Sequence, residues 1–358
     1  MRILFLQQQP CVRALKYAVA LRSAFPSMRL AFAYQGQTLS AWYGSGDELF
    51  ERWWDLGSEP AKGLRTAAAE FRPDVVHSHN LPDSLTVIAL ELFAGRVPVI
   101  HDVHDLQSLR QTPYEHGFPE PDEPLALERR ALEGCSALVT VSEELLEEVH
   151  ARYRVTAPTL AFANYALKRD LPLTLPPADR RNGHPPRFVY AGTLSTNGGH
   201  YDLREIFRAI LGEGLSLDVY PSRPVPAYAG LAAKLRGLRL HPTLPPPRLL
   251  AALGAYDFGW AGFNSALNGA HLDTCLPNKV FEYLGCGLPV VTLTHRALSR
   301  MVGDGGLGLS LASFDDLAGQ LAAVNLVEIR GRIAGARLGL TVEANIHRLA
   351  ELYEAVVG

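Results

Sequence analysis

The chain has 358 residues, with 34 Lys and Arg against 37 Asp and Glu for a net charge of -3, and is 47% hydrophobic and 20% charged. That balance gives no electrostatic reason to expect a nucleic-acid partner, which calls for a strongly basic face. The length favours two domains over one, and no apolar run approaches the roughly 18 residues of a membrane span, so a cytoplasmic protein is expected.

The opening Met-Arg-Ile-Leu-Phe-Leu-Gln is too short in its apolar stretch for a signal peptide and reads as a first buried strand. In chain order, strands are predicted at 2–6, 30–34, 75–79, 97–103 and 137–142, alternating with helices at 12–25, 60–71, 82–93, 123–132 and 143–153. Such alternation means a parallel, doubly wound sheet. A Pro-rich, charged stretch at 168–186 then reads as a linker. The same grammar restarts with strands at 187–191, 216–220, 258–261 and 289–293, and the chain closes on an amphipathic helix at 342–357. The predicted fold class is therefore α/β with two tandem Rossmann-like domains, 1–167 and 187–340, and a last helix within 341–358. Ligands of such folds bind at the carboxyl ends of the strands, in the crevice between the domains. Cys11, Cys135, Cys275 and Cys286 form no C-x-x-C pair and are expected to be free thiols rather than a metal site or a disulfide framework.

Several strand ends carry side chains capable of chemistry. The segment Ile100-His-Asp-Val-His-Asp places His104 and Asp105 at the carboxyl edge of a buried strand, with His101 and Asp102 on opposite faces by strand alternation. His79, Asn80 and Asp83 follow the preceding strand and would rim the same cleft, although Asp83 also suits a helix cap. Ligand recognition is expected along the loop 107–124, which holds Arg110, Tyr114, Glu115 and His116. Arg13, Lys16 and Arg22 on the first helix either form a solvated face or approach a membrane surface.

The segment Leu276-Pro-Asn-Lys-Val-Phe-Glu-Tyr-Leu-Gly-Cys-Gly-Leu-Pro-Val-Val291 is the most specific in the chain. Pro277 suits the first helical turn, and no capping box precedes it, so its backbone amides are open to an anion such as a diphosphate. Glu282, one turn in, is suited to accept hydrogen bonds from paired ribose hydroxyls. After Phe188-Val-Tyr-Ala-Gly192, the run Thr193-Leu-Ser-Thr-Asn-Gly-Gly-His200 offers amides at Gly198 and Gly199 that could nest an anion. Asp202 and Glu205, at capping-box spacing, are expected to occupy the amides of the helix that follows.

This signature, with Val76-His-Ser-His-Asn80, Val99-Ile-His-Asp-Val-His-Asp105 and the closing Ile346-His-Arg-Leu-Ala-Glu-Leu-Tyr-Glu354, resembles glycosyltransferase family 4 and its relatives of the GT-B fold. The resemblance covers most of the chain. It implies transfer of a sugar from a nucleoside diphosphate-sugar to an acceptor hydroxyl, with retention of configuration, no cofactor and no metal. The acceptor would be a carbohydrate, a lipid-linked or a small molecule, with peripheral contact at the inner membrane face. The last helix would pack back on the first domain. By resemblance His104, with Asp105 beside it, lies near the transferred sugar. Gly192, Thr193, Asn197, Gly198, His200, Pro277, Asn278, Lys279 and Glu282 would bind the donor, and His79, Asn80 and Arg110 the acceptor. The chain also departs from the pattern. Thr193 stands in the place of the family's arginine, Asn197 or Gly198 near its lysine, and Thr274 where the first of two paired glutamates is expected, leaving Asp273 or His271 to contact the sugar. Two alternatives stay open: a nucleotide-sugar epimerase of the same fold, and a degenerate homologue that binds without turnover.

Overall fold

The computed structural model describes residues 1–36, 48–111, 122–178 and 186–358. It divides into two compact units, Met1–Asn164 with Val342–Gly358, and Tyr165–Thr341.

The first unit holds seven parallel strands, β1 (Arg2–Gln7), β2 (Arg29–Tyr34), β3 (Trp53–Asp55), β4 (Val75–His79), β5 (Val99–Val103), β6 (Ala137–Thr140) and β7 (Thr159–Ala161), in the order β3-β2-β1-β4-β5-β6-β7. Helices α1 (Val12–Ala24), α2 (Pro60–Phe71), α3 (Ser84–Phe93), α4 (Asp122–Gly134) and α5 (Glu143–Arg152) make the crossovers. The central strands β1, β4 and β5 are buried almost throughout, the mark of a parallel sheet covered on both faces. The strand order reverses between β1 and β4, so a ligand crevice is expected at their carboxyl ends.

The second unit repeats the plan with β8 (Arg187–Gly192), β9 (Ser216–Pro221), β10 (Leu238–Leu240), β11 (Phe258–Trp260), β12 (Val290–Leu293) and β13 (Gly308–Leu311), ordered β10-β9-β8-β11-β12-β13 and all parallel. Its helices are α6 (Arg204–Gly212), α7 (Pro226–Ala232), α8 (Pro246–Leu253), α9 (Gly269–Leu272), α10 (Asn278–Gly285), α11 (Arg296–Leu298), α12 (Leu317–Ala322) and α13 (Leu326–Ala336). The reversal falls between β8 and β11. The stretch from Lys168, linker-like in composition, starts with one 3-10 turn at Lys168–Asp170, and Leu171 buries its side chain. The closing helix α14 (Val342–Val357) belongs to the first unit, where it packs on α1 and Arg348 donates to the Ala161 carbonyl.

The predicted strands and helices in both units are present to within a few residues. Strands β3, β7, β10 and β13 were not predicted. The first three are edge or near-edge strands of three residues, and a register that short leaves no readable period.

One contact between the second sheet and α10 fixes the site geometry. The Tyr283 ring lies over Gly259, where an added Cβ would meet ring carbon Cδ2 at 2.4 Å, and its hydroxyl accepts from the Ala191 amide at 2.8 Å and donates to the Trp260 carbonyl at 3.3 Å. The helix is thereby pinned to β8 and β11 on either side of the switch point. Gly259→Ala should cost about 1–3 kcal/mol through overpacking, measured as a lowered midpoint in urea, and a variant as stable as the parent would refute this packing.

Candidate functional site

The carboxyl edge of the first sheet gathers a dense polar cluster around Asp102. Arg13 Nε lies 3.1 Å from both carboxylate oxygens, Tyr17 Oη 2.9 Å and His77 Nε2 3.2 Å from Oδ2, and His104 Nε2 3.4 Å from Oδ1. His104 Nε2 is also 3.1 Å from His79 Nδ1. Burial by itself would raise Asp102. The Arg13 charge and the surrounding histidines outweigh it and hold the carboxyl well below its ordinary range. Burial pushes His79 well below the usual imidazole value, so its ring is neutral.

His104 alone of the three histidines reaches outward, with a side chain 23% exposed, while His77 and His79 are fully buried. The expected placement of His79 and Asn80 at an open rim is therefore corrected. Asn80 is buried because it braces the loop after β5, accepting from the His104 amide at 2.8 Å and donating to the Asp105 carbonyl at 2.6 Å. Asp83 neither rims a cleft nor caps α3 with its side chain. It is buried with Oδ1 3.1 Å from His101 Nε2, a close contact without hydrogen-bond alignment, on the face of β5 opposite Asp102. Arg110 lies 3.9 Å from Asp105 and its side chain is 7% exposed. Tyr114, Glu115 and His116 lie outside the described residues.

The first helix also corrects an expectation. Arg13 and Lys16 are buried, so they do not form a solvated basic face or one that meets a membrane. Arg13 is drawn inward because a buried carboxylate requires a counter-charge, and its remaining donors reach the Phe162 carbonyl at 2.6 Å and Asn164 Oδ1 at 3.1 Å. Arg22 is exposed, donating to the Leu49 carbonyl at 3.3 Å. No helix among the described residues is long and apolar enough to cross a membrane.

In the second unit, α10 starts immediately after Pro277, which supplies no capping side chain, and the Val280 amide donates to the Pro277 carbonyl at 3.1 Å. Beneath it lies Lys279, 7% exposed. Its Nζ donates to Tyr190 Oη at 3.0 Å and stands 4.2, 5.6 and 5.9 Å from the ring centroids of Tyr190, Tyr201 and Phe263. Among the described residues no carboxylate comes within ion-pair distance of it. Burial pushes this amine down to about 7, against a weaker upward pull from Glu282. Gly192 ends β8 with φ +141°, and a Cβ there would come within 3.3 Å of Lys279 Nζ, so glycine keeps the space beside the ammonium clear. The structure thus groups Gly192, Lys279 and the start of α10 with His200, whose ring packs on Tyr201 at 4.2 Å and on Phe263 at 5.9 Å. Glu282, half-buried, follows one turn on.

The loop before α6 differs from expectation. Asp202 does not cap α6; it accepts from Arg204 Nε at 2.8 Å and from the Gly198 amide at 3.1 Å, while Leu203, at the cap position, gives its amide to Tyr228 Oη. The Gly199 amide is held by Asn197 Oδ1 at 3.1 Å. The Gly198 and Gly199 amides, which could have nested an anion, are thus engaged by the chain's own oxygens. Thr193, in the place of the family's arginine, accepts from Tyr190 Oη through its carbonyl. Asp273 lies at the end of α9, with Oδ1 3.2 Å from His295 Nδ1.

Cys11, His79 and His104 offer three potential metal-ligand atoms within 4.8 Å of one another. The His79–His104 hydrogen bond already engages two of those ring edges, burial pushes the Cys11 thiol up, and the Arg13 guanidinium adjoins the cluster. This set is better described as a hydrogen-bond network than as a metal centre.

Comparison with known proteins agrees with this architecture. Residues 16–161 match the sequence profile of Glycosyltransferase Family 4, and no curated protein matches the chain by sequence. Among solved structures, the sucrose-phosphate synthase of Thermosynechococcus elongatus is similar at 13% identity over 99% of both chains, with a TM-score of 0.70. Anabaena HepE in complex with UDP-glucose is similar at 15% identity over 99% of this chain and 100% of that one, with a TM-score of 0.71. A glycosyltransferase of Rickettsia africae is similar at 9% identity over 99% and 98%, with a TM-score of 0.70. The fold is GT-B, and the resemblance to Glycosyltransferase Family 4 by sequence profile lies within residues 16–161. The profile match lies in the first unit, whereas the signature helix α10 and Lys279 lie in the second, so the two lines of resemblance are independent.

Proposed function

We propose that the protein is a retaining, metal-independent glycosyltransferase that moves a sugar from a nucleoside diphosphate-sugar to an acceptor hydroxyl in polysaccharide or glycoconjugate synthesis. The observation that carries the reading is Lys279, a buried cation without a carboxylate partner among the described residues, beneath an uncapped helix start. A buried amine without a counter-ion is costly, and a diphosphate is the anion whose charge and oxygen count suit an ammonium and helix amides together. As the glycosidic bond breaks, negative charge grows on the leaving diphosphate, and these fixed donors stabilise it without reorganising. Glu282 would accept from ribose hydroxyls, and His104 would contact a hydroxyl of the transferred or accepting sugar. The complex of the similar Anabaena protein makes UDP-glucose the first donor to test.

The experiment is calorimetric titration with a panel of nucleoside diphosphates, followed by incubation of the matching donor with sugar and lipid-linked acceptors and product mass measurement. Transfer to an acceptor supports the reading. Isomerised donor without acceptor points to the epimerase alternative, and binding without turnover to the degenerate one. His104→Ala and Glu282→Ala should each lower kcat/KM by about 10²-fold, the scale of a lost active-site contact. Unchanged kinetics in both would remove these assignments.

A further inference from the structure

Asp102 is fully buried, and its contacts constrain where protons lie on the rings around it. An ionised carboxylate only accepts hydrogen bonds, so each partner must turn a proton toward it. Arg13 and Tyr17 do so directly. His77 therefore carries its proton on Nε2, 3.2 Å from Oδ2, and its Nδ1 accepts from the Tyr353 hydroxyl of α14 at 2.6 Å.

His104 presents its own Nε2 to Oδ1 of the same carboxylate at 3.4 Å and to the neutral His79 Nδ1 at 3.1 Å. The formal charge decides. In a dry interior, a bare His104 Nε2 would set a lone pair against a buried anion, whereas a proton there is attracted by it and shared with His79. The cost falls on His79, whose bare Nδ1 lies 3.9 Å from Oδ2, farther than the 3.4 Å from His104 Nε2 to Oδ1, and whose Nε2 is buried without a hydrogen-bond partner. The remaining nitrogen of His104, Nδ1, has no hydrogen-bond partner among the described residues and belongs to a ring that is partly exposed.

We infer that Asp102 is a positioning residue that locks His104 in the Nε2–H tautomer, so that Nδ1 faces the ligand as a hydrogen-bond acceptor for a carbohydrate hydroxyl. The nature of the ligand rests on the transferase reading above; the tautomer does not. The arrangement suits a substrate whose hydroxyl donates, and it disfavours a ligand carbonyl or phosphate oxygen at the same spot, since neither could supply a proton to Nδ1.

The test is a long-range proton–nitrogen correlation spectrum of the histidine-labelled full chain without ligand, with His104→Gln used to assign the His104 signals. The expected spectrum shows an unprotonated, pyridine-type Nδ1 and a protonated Nε2; a protonated Nδ1 in the wild type overturns the inference, whether or not any variant folds. Asp102→Asn removes the charge and can donate its amide to Nε2, so it should move the proton to Nδ1. It should also lower kcat by at least about tenfold with the donor KM changed less than about threefold. An Asn variant that folds and keeps the wild-type tautomer overturns the role of the carboxylate. The expected tautomer with an unaffected kcat overturns the catalytic consequence alone. If no transfer is found with any donor, the functional reading fails while the spectrum still decides the tautomer.

Discussion

Lys279→Met is expected to weaken nucleoside diphosphate binding and to stabilise the unliganded fold, two effects of opposite sign from one side chain. Removing a buried charge from its anion costs about 2–4 kcal/mol, so the dissociation constant should rise roughly 30- to 1,000-fold by calorimetry. In the free protein the ammonium lies among Tyr190, Tyr201 and Phe263 with no carboxylate beside it, and cation–π contact returns only part of its lost hydration. Methionine has a similar length and no charge to desolvate, so the denaturation midpoint of the variant should rise.

Proton linkage sharpens the same prediction. The folded amine titrates near 7 and the unfolded one at 10.5. Between those values the unfolded chain binds more protons, so wild-type stability relative to Lys279→Met should increase as pH rises from 7 toward 10. Ligand binding runs the other way. The diphosphate requires the charged amine and raises its pKa, so affinity should fall above pH 7 by up to about tenfold per pH unit, and that slope should vanish in the variant. A Met variant that binds diphosphate with parental affinity would remove Lys279 from the donor site.

Arg13→Met should strongly destabilise the first unit. The Arg13 and Asp102 side chains are 5% and 0% exposed, so deleting the cation strands a carboxylate in the interior. Breaking a buried pair in this way costs about 3–5 kcal/mol, and urea denaturation should report it. The double variant Arg13→Met, Asp102→Asn should recover a large share of the loss, because it removes the stranded charge as well. The depressed carboxyl carries a pH signature too. Its stability contribution is present above the unfolded carboxylate value and is lost as pH falls through the lower folded value, so the gap between wild type and Arg13→Met should narrow in acid. A loss under about 1 kcal/mol for the single variant would mean that the pair is not buried as described.

Much of the site was legible beforehand, for a local reason. A proline at a helix start, a glycine at a strand end and a histidine at the edge of an apolar run are signals that span a few residues, and Pro277, Gly192 and His104 all lie at the element ends they predicted. The loop at Asn197–Asp202 was misread because two acidic residues at capping-box spacing can serve several donors. Arg204, two residues on, and the Gly198 amide compete for Asp202, and they took it.

The amino-acid order alone determined the doubly wound parallel units, the short helix after Pro277 and the strand-end position of His104, because each depends on periodicity and backbone sterics within one element. Tertiary structure alone decided that Arg13 turns inward onto Asp102, that Tyr353 reaches His77, and that Lys279 is buried among three aromatic rings. Arg13 and Asp102 lie 89 positions apart and His77 and Tyr353 276, while the rings around Lys279 come from Tyr190, Tyr201 and Phe263 on separate segments. Along a helix, a basic residue that will be buried against a distant partner has the same spacing as one left in water; only the packing that removes solvent from it sets the difference in energy.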